Sequence, residues 1–432
     1  MYQMGVSSKA CRQQFVQNVH HFGPWIVPLL AVGFLISGDS AFTALGIGPA
    51  TSYLPAVILA SMSIVALFLL RFHWPSARVR RAELAMLVLM TLLGIVLTSS
   101  LIYGTGGAYG ITKVFSYWGF AWLGGILGAM IAGKKEGVPR LAWAFLLCGL
   151  ALGMVGIVTV FAGVAERQLA VLGGGPNVFV RLMAFGMLSA GVVFSLPSLR
   201  RGVQWAALAS GALLSVPLIL SGSRGGVLAA FVASAVALLA PARSSKAIWR
   251  AKLGLGFLLI VCLAVFAVAR YTSVADSISS SGTRLSHLTS DLPGSTSVAG
   301  RWEAIDAAWD MFLRSPIIGH GVGAFSVEGA YDYPHNIELE LLSETGIVGF
   351  GLFAAMCLVA GRLLWRLIRS SDPALQLGGL WLLAMASMIG VAAQASGDLY
   401  ASRYLFFFFG AIAGLSSTVP RPERLLEAHR DD

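Results

Sequence analysis

Long apolar runs recur along the chain, and most are close to the roughly 20 residues that an α-helix needs to cross a bilayer. With 57% hydrophobic and only 12% charged residues, the chain cannot hide its apolar surface as a soluble domain, so lipid must be the solvent for most of it. We therefore predict an all-α integral membrane protein, a single polytopic domain over residues 1–432 with about twelve transmembrane helices. The predicted spans are 25–41, 54–71, 84–103, 115–133, 141–163, 178–197, 203–221, 225–241, 253–270, 337–361, 377–396 and 404–419.

The positive residues are distributed unequally between the two sides of this predicted bundle. Alternate sides carry 21 and 9 of the 30 lysines and arginines. Because Lys and Arg accumulate in cytoplasmic loops, the richer side is assigned to the cytoplasm, with both termini. The net charge of +10 therefore does not indicate a nucleic-acid partner. The opposite side carries one large loop, about residues 271–334, between spans nine and ten.

Eight of the nine positive residues on the non-cytoplasmic side are arginines, whose planar guanidinium binds phosphate in two places. One of them, Arg224, stands in the sequence LSGSRGGVLAA, where Ser223 and several glycines let the backbone approach a ligand closely. If span eight begins at Gly225, its N-terminal N–H groups would add to the attraction for an anion. The alternative interpretation is an arginine that extends to the lipid headgroups.

The large loop contains a segment with helical periodicity, residues 299–325. Trp302, Ile305, Trp309 and Phe312 are spaced as on one helix face, which predicts a short amphipathic helix along the membrane surface. We expect this aromatic stripe to pack on the bundle. Pro316 is predicted to end the helix, and Gly319, Gly321 and Gly323 to form a turn around His320. Arg301, at the start of the helix, is predicted to project over a central cavity.

The stretch YPHNIELELLSETGIVG, residues 333–349, places a histidine at the entrance to span ten. His335 has the side chain that titrates near neutrality, so it is a candidate general base. Asn336 is predicted to cap the helix or to fix the imidazole tautomer, and Glu338 to orient His335 from the same helix face. Alternatively, the histidine is structural and the glutamates only favour a helix N-terminus.

A further arginine, Arg181, follows the loop LGGGPN by one helical turn. It would be a second buried cation on the non-cytoplasmic side of the membrane. Its alternative interpretation is a structural ion pair with Glu338 or Glu340.

Together these segments resemble the O-antigen ligase and O-antigen polymerase superfamily of bacterial membrane glycosyltransferases. The most specific part is a ligase pattern in which His335 and Asn336 are followed by nine residues and then by Gly346 and Gly349. Phe350 stands where the ligase pattern has threonine, which favours the polymerase over the ligase. The Ser-Gly-Ser-Arg-Gly-Gly and Gly-Arg segments also resemble family features.

The resemblance implies a donor glycan on undecaprenyl diphosphate and a lipid A-core hydroxyl as acceptor, in lipopolysaccharide biosynthesis. It places the enzyme in the bacterial inner membrane with its active site at the periplasmic face, where residues 271–334 form the large loop. No ATP, cofactor or metal is implied, and the reaction would be a direct displacement with inversion. The implied base is His335, and the implied diphosphate ligands are Arg224, Arg301 and Arg181. The implied supporting residues are Asn336, Glu338 and Ser223.

Three alternatives stay open from the sequence. A polymerase would use a lipid-linked repeat as acceptor, and a related enzyme would glycosylate a protein, although no added domain for a protein acceptor is apparent. A transporter of lipid-linked glycan would also use arginines in a cavity. Transporters often contain internal repeats with matched broken helices, and the two halves of this sequence have no such similarity.

Overall fold

The computed structural model describes residues 25–33, 35–36, 81–134, 136–161, 176–242, 245–271, 296–329, 331–399 and 401–419. Every regular element within these ranges is helical. After helical residues 25–33 and 35–36, the helices are numbered α1 to α12. They are α1 (Arg81–Ser100), α2 (Gly107–Ala132), α3 (Gly137–Phe161), α4 (Pro176–Ser195), α5 (Arg201–Leu220), α6 (Arg224–Leu239), α7 (Lys246–Tyr271), α8 (Thr296–Arg314), α9 (Phe325–Glu328), α10 (Ile337–Ile368), α11 (Pro373–Ala392) and α12 (Arg403–Ser416).

Among the described residues, eight helices are long and apolar enough to cross a membrane, and α6 and α12 are shorter apolar helices. These ten helices coincide with predicted spans three to twelve, which confirms an all-helical multi-pass membrane protein. Predicted span 54–71, part of span 25–41 and loop residues 272–295 lie outside the described residues. The count of twelve spans, the single domain and the periplasmic position of the loop therefore stay predictions.

Helix α4 lies at the centre of the bundle. It is buried from Phe179 to Ser195 and packs against α3, α5, α6, α7 and α11. A helix that is apolar on all sides is the kind that can be buried in this way, and Arg181 is the only ionisable residue in α4. Gly149 of α3 and Gly186 of α4 bring the two backbones into direct contact. Arg181 is thereby fixed in a position that is almost inaccessible to solvent.

Helix α10 is broken at Gly346, whose φ of 62° and ψ of −161° lie outside the helical region. The N–H groups released by the break find partners in another segment. Ile347 N donates to Pro316 O at 2.8 Å, and Val348 N donates to Ile317 O at 3.3 Å. Irregular backbone in a membrane protein is stable only where protein or water satisfies its polar groups, and here protein does so.

The carbonyl groups before the break are satisfied by the same segment. His320 N donates to Ser343 O at 3.0 Å, and Gly321 N donates to Glu344 O at 2.8 Å. We call residues 315–324 the glycine loop. This loop fills the break in α10 from both sides.

The glycine loop has a conformation that only glycines adopt without strain. Gly319, Gly321 and Gly323 have φ values of 69°, 92° and 79°. The loop also contacts the α1–α2 connection, where Tyr103 Oη donates to Ile318 O at 2.8 Å. The predicted turn around His320 is therefore present, and α8 ends at Arg314, just before Pro316.

The break changes the expected length of span ten. The sequence predicted one uninterrupted helix over residues 337–361, whereas the structure has two halves, 337–345 and 347–368. At 1.5 Å per residue the second half is about 33 Å long and spans a bilayer alone. The first half is about 13 Å long and contains the polar residues Glu338, Glu340 and Glu344.

Gly346→Ala is expected to lower the unfolding free energy by about 2–3 kcal/mol, because this φ and ψ combination is essentially restricted to glycine. A Cβ at this position would also lie 2.3 Å from Ile317 O. The matched control is Gly351→Ala in the same helix, where a Cβ would meet no atom within 4 Å. Thermal unfolding in detergent tests this, and equal midpoints for the two variants would contradict it.

Helix α8 differs from its prediction in the face that it buries. Trp302 is 62% exposed and Trp309 is 46% exposed, whereas Ala304 and Ala308 are buried, together with Met311. The expectation that the aromatic stripe packs on the bundle is therefore wrong for the two tryptophans. The small alanines allow α8 to approach α10 closely, and the large indoles lie on the outer face, where a membrane interface favours them.

Candidate active site

Segments that are far apart in sequence converge on the connection between α11 and α12, described at residues 393–399 and 401–402. We call this connection the hub loop. It receives hydrogen bonds from Arg181 of α4 and from the start of α10, where Ile337 N donates to Ala393 O at 3.2 Å. No local sequence pattern distinguishes this loop. Its role is apparent only from hydrogen bonds between residues that are more than 200 positions apart in the sequence.

Arg181 is held by two carbonyl groups of the hub loop. Its Nη1 donates to Ala401 O at 2.9 Å, and its Nη2 donates to Ser396 O at 2.7 Å. The side chain is only 2% exposed. The guanidinium fork therefore fixes the hub loop and brings a positive charge beneath it.

Asn336 caps α10, which was one of the two roles predicted for it. Its backbone is extended, with φ −146° and ψ 121°, and its Oδ1 accepts from Leu339 N at 3.0 Å. Its Nδ2 donates to Gln394 Oε1, and Gln394 Nε2 donates to Glu338 Oε1, both at 2.8 Å. The expected orienting contact from Glu338 to His335 is wrong: within the described residues, Glu338 bonds to the hub loop instead.

His335 has a φ of 58° and is the only non-glycine residue with positive φ in the part of the chain that the structure describes. The ring is half-buried and lies between Tyr331 and Tyr333, with centroid distances of 6.1 and 4.6 Å. Its Nδ1 is buried and has no hydrogen-bond partner among the described residues. Strained backbone and unsatisfied polar atoms concentrate at functional sites, so His335 is a strong candidate for the reacting group.

The surroundings of His335 keep its imidazole neutral. Burial lowers the pKa of His335, and the positive charge of Arg301 lowers this pKa further, whereas Asp398 acts in the opposite direction. Arg301 is an exposed residue of α8, so α8 brings its charge close to the histidine. A neutral imidazole has one ring nitrogen with a lone pair, so it can accept a proton there.

Arg224 is the first residue of α6, one position earlier than predicted, and is half-buried. Ser223 caps this helix, and its Oγ also donates to Asn177 Oδ1 at 2.6 Å. A Cβ on Gly225 would lie 3.1 Å from the Cβ of Ala395, so the start of α6 lies against the hub loop. The structure thus brings Arg224, with a helix N-terminus, to the same loop as Arg181 and Asn336.

A buried ionic cluster that no sequence pattern predicted lies beneath the site. Lys113 of α2 forms ion pairs with Glu340 and Glu344 of α10, and its Nζ is 2.9 Å from Glu344 Oε1. Glu340 Oε2 also accepts from Leu399 N of the hub loop at 2.8 Å. The sequence predicted Lys113 to be one of the non-cytoplasmic cations. The structure places Lys113 within a membrane-spanning helix, where an ionisable residue is usually functional or paired.

Asp398 of the hub loop was also missed. Its Oδ2 accepts from Tyr109 Oη at 3.1 Å, and its Oδ1 accepts from Ala401 N at 2.8 Å. The carboxylate is nearly buried and acts electrostatically on His335. Within the described ranges, no group of three or more His, Cys, Asp or Glu residues has the arrangement that would hold a metal ion.

Residues 209–354, about a third of the chain, match the protein family described as O-antigen ligase. This segment contains Arg224, Arg301 and His335 and extends past Gly349, and it does not include Arg181. No curated protein matches the chain. Members of the family are membrane glycosyltransferase-like enzymes, which implies lipid-linked glycan substrates and a lipid bilayer. The match to residues 209–354 supports the resemblance to the O-antigen ligase and O-antigen polymerase superfamily that the sequence motifs indicated.

Proposed function

We propose that this protein is an O-antigen ligase-type glycosyltransferase that moves a glycan from undecaprenyl diphosphate to a lipid A-core hydroxyl. The reaction takes place at the periplasmic face of the bacterial inner membrane. The observation that carries the proposal is His335, a strained and half-buried histidine whose Nδ1 lacks a hydrogen-bond partner among the described residues and whose pKa is lowered. These properties are those of a general base.

In the proposed step, His335 takes the proton of the acceptor hydroxyl while the hydroxyl oxygen attacks the anomeric carbon of the donor sugar. The bond between that carbon and the diphosphate oxygen breaks, and undecaprenyl diphosphate leaves with the electron pair. Attack opposite the leaving group inverts the anomeric configuration. Arg224 and Arg301 stabilise the charge that develops on the diphosphate, because fixed cations at the leaving group lower the energy of the transition state.

Arg181 contributes to the same electrostatic environment from below the hub loop. Its two Nη atoms already donate to Ser396 and Ala401. Direct contact with the diphosphate stays a prediction for this residue, and its bonds favour positioning of the loop as its main role. Ser223, Asn336 and Glu338 are proposed to support the site by holding the starts of α6 and α10.

A polymerase that uses a lipid-linked repeat as acceptor is the second candidate. The observation that favours it is Phe350, at the position where the ligase pattern has threonine. The two candidates share the donor and the base and differ only in the acceptor. A transporter of lipid-linked glycan is a weaker candidate, because transport requires no general base.

Reconstitution in liposomes distinguishes these functions. The purified protein is incubated with undecaprenyl diphosphate-linked glycan, with and without lipid A-core. Glycan on lipid A-core identifies a ligase, and longer lipid-linked chains in its absence identify a polymerase. If folded protein transfers no glycan under either condition, the glycosyltransferase proposal is wrong and transport becomes the leading hypothesis.

The rate of transfer is expected to rise with pH and to level off below neutral pH. Only the neutral imidazole accepts a proton, and the pKa of His335 lies below its ordinary value of 6.5. Arg301→Gln removes a charge that lowers this pKa, so the acid limb of the pH–rate profile should move to higher pH. Asp398→Asn should move the limb to lower pH. Initial rates across acid and neutral pH test both shifts, and an identical limb in wild type and both variants would argue against His335 as the base.

A further inference from the structure

Two tyrosines flank His335, and neither takes part in the proposed reaction step. The ring of Tyr333 is 4.6 Å from the imidazole at an interplanar angle of 70°, and the ring of Tyr331 is 6.1 Å away at 63°. A general base must be within about 2.6–3.2 Å of the hydroxyl that it deprotonates. Any acceptor bound to His335 therefore lies next to both aromatic rings.

Tyr331 presents an accessible aromatic surface beside the base. The residue is 39% exposed. Its hydroxyl lies against Gly300, where a Cβ would be only 1.9 Å from Oη. The start of α8 thus holds the end of the tyrosine and leaves ring surface open.

Tyr333 presents a polar group. Its side chain is half-buried, and its hydroxyl makes no hydrogen bond within the described residues. Burial raises the pKa of Tyr333, and the negative charges of Asp398 and Glu340 raise it as well, against an opposing effect of Arg181. The phenol therefore keeps its proton and is available as a hydrogen-bond donor.

More carboxylates than arginines act on Tyr333, since Asp398, Glu340 and Asp332 are opposed by Arg181. Asp398 and Glu340 lie close enough to Tyr333 to act on it, and Asp332 is its neighbour in sequence. The exposed Asp332 carboxylate repels a diphosphate and readily accepts hydrogen bonds from sugar hydroxyls. Aromatic surfaces with a few polar groups are typical of sites for small organic ligands, and a pyranose has both apolar faces and hydroxyls.

We propose that Tyr331 and Tyr333 form the subsite for the acceptor sugar, with the Tyr331 ring against an apolar face of a pyranose and the Tyr333 hydroxyl bonded to one of its hydroxyl groups. This inference rests on the proposed function. It assigns two residues outside the predicted site to recognition of the acceptor. The diphosphate of the donor is bound at the arginines, and because Arg301 follows the glycine that contacts Tyr331, the two subsites adjoin.

The test is a pair of single-atom changes, Tyr333→Phe and Tyr331→Phe, with Tyr331→Ala as a third variant. The reconstituted protein is assayed at varied lipid A-core and fixed undecaprenyl diphosphate-linked glycan, and then with the two reversed. If lipid A-core supports no transfer, the varied acceptor is a single lipid-linked repeat and the fixed donor is a longer, preformed lipid-linked chain. Tyr333→Phe should raise the acceptor KM about 3- to 10-fold, the equivalent of one lost hydrogen bond. Tyr331→Phe should change it little, and Tyr331→Ala should raise it by a similar factor.

The donor KM and the position of the acid limb of the pH–rate profile should stay at their wild-type values in all three variants. Two results would overturn the inference: an increase in donor KM for Tyr333→Phe, or an unchanged acceptor KM for both Tyr333→Phe and Tyr331→Ala. In either case, transfer by the wild-type protein would still support the proposed function. Absence of transfer by the folded wild-type protein would instead overturn the proposed function, and the acceptor subsite with it.

Discussion

His335→Ala is expected to reduce the rate of glycan transfer by about 10²–10⁴-fold, the usual contribution of a general base. The affinity for the lipid-linked donor should change little, because the proposed diphosphate ligands are Arg224 and Arg301. Transfer in reconstituted liposomes and donor binding in detergent measure the two quantities separately. A folded His335→Ala protein with the wild-type rate would refute the assignment of the base.

A second variant distinguishes loss of the base from misfolding. His335 has a φ of 58°, and asparagine tolerates this conformation better than alanine. His335→Asn should therefore unfold at nearly the wild-type temperature and still lose transfer, since an amide does not accept a proton. Loss of transfer in both variants, with a normal unfolding midpoint in His335→Asn, separates the chemistry of the imidazole from its structural role.

Lys113→Ala is expected to lower the unfolding free energy by about 3–5 kcal/mol, because it leaves two buried carboxylates without their cation. Lys113, Glu340 and Glu344 are each at most 3% exposed, so water cannot replace the lost charge. The hub loop should also lose its position, since Glu340 bonds to Leu399 N. The thermal unfolding midpoint in detergent and the transfer rate should therefore fall together.

Two comparisons test the cause of this effect. Lys246→Ala removes an exposed lysine at the start of α7 and should change the midpoint little. Lys113→Met combined with Glu340→Gln and Glu344→Gln removes the charges together and should recover much of the lost stability. If Lys113→Ala and Lys246→Ala unfold at the same temperature, the buried cluster does not stabilise the fold.

The sequence predicted the described membrane-spanning helices well, because hydropathy over about 20 residues is a local property. It did not predict the break at Gly346. A glycine in an apolar run is compatible with a continuous membrane helix, and only the contact with the glycine loop reveals its positive φ. The same limit applies to α8, where the alanines that pack on α10 are distinguished from the exposed tryptophans only by their tertiary partner.

The site was predicted where its residues lie next to each other in sequence. His335 and Asn336 stood out because a titratable group precedes an apolar helix. The ion pairs of the buried cluster could not be predicted from local sequence, because Lys113 and Glu344 are 231 positions apart. Gln394 and Asp398 of the hub loop carry no local pattern of their own. Their importance follows from how many separate helices the loop joins.

That loop has a consequence for the modularity of the protein. The segment that matches the family model ends at residue 354, whereas the hub loop begins at residue 393. Exchanging residues 209–354 between two relatives would transfer the base and two arginines but would join them to a foreign hub loop and a foreign α4. We therefore expect such chimeras to lose function unless residues 176–195 and 393–403 are exchanged with them, so that the inherited unit is a set of discontinuous segments.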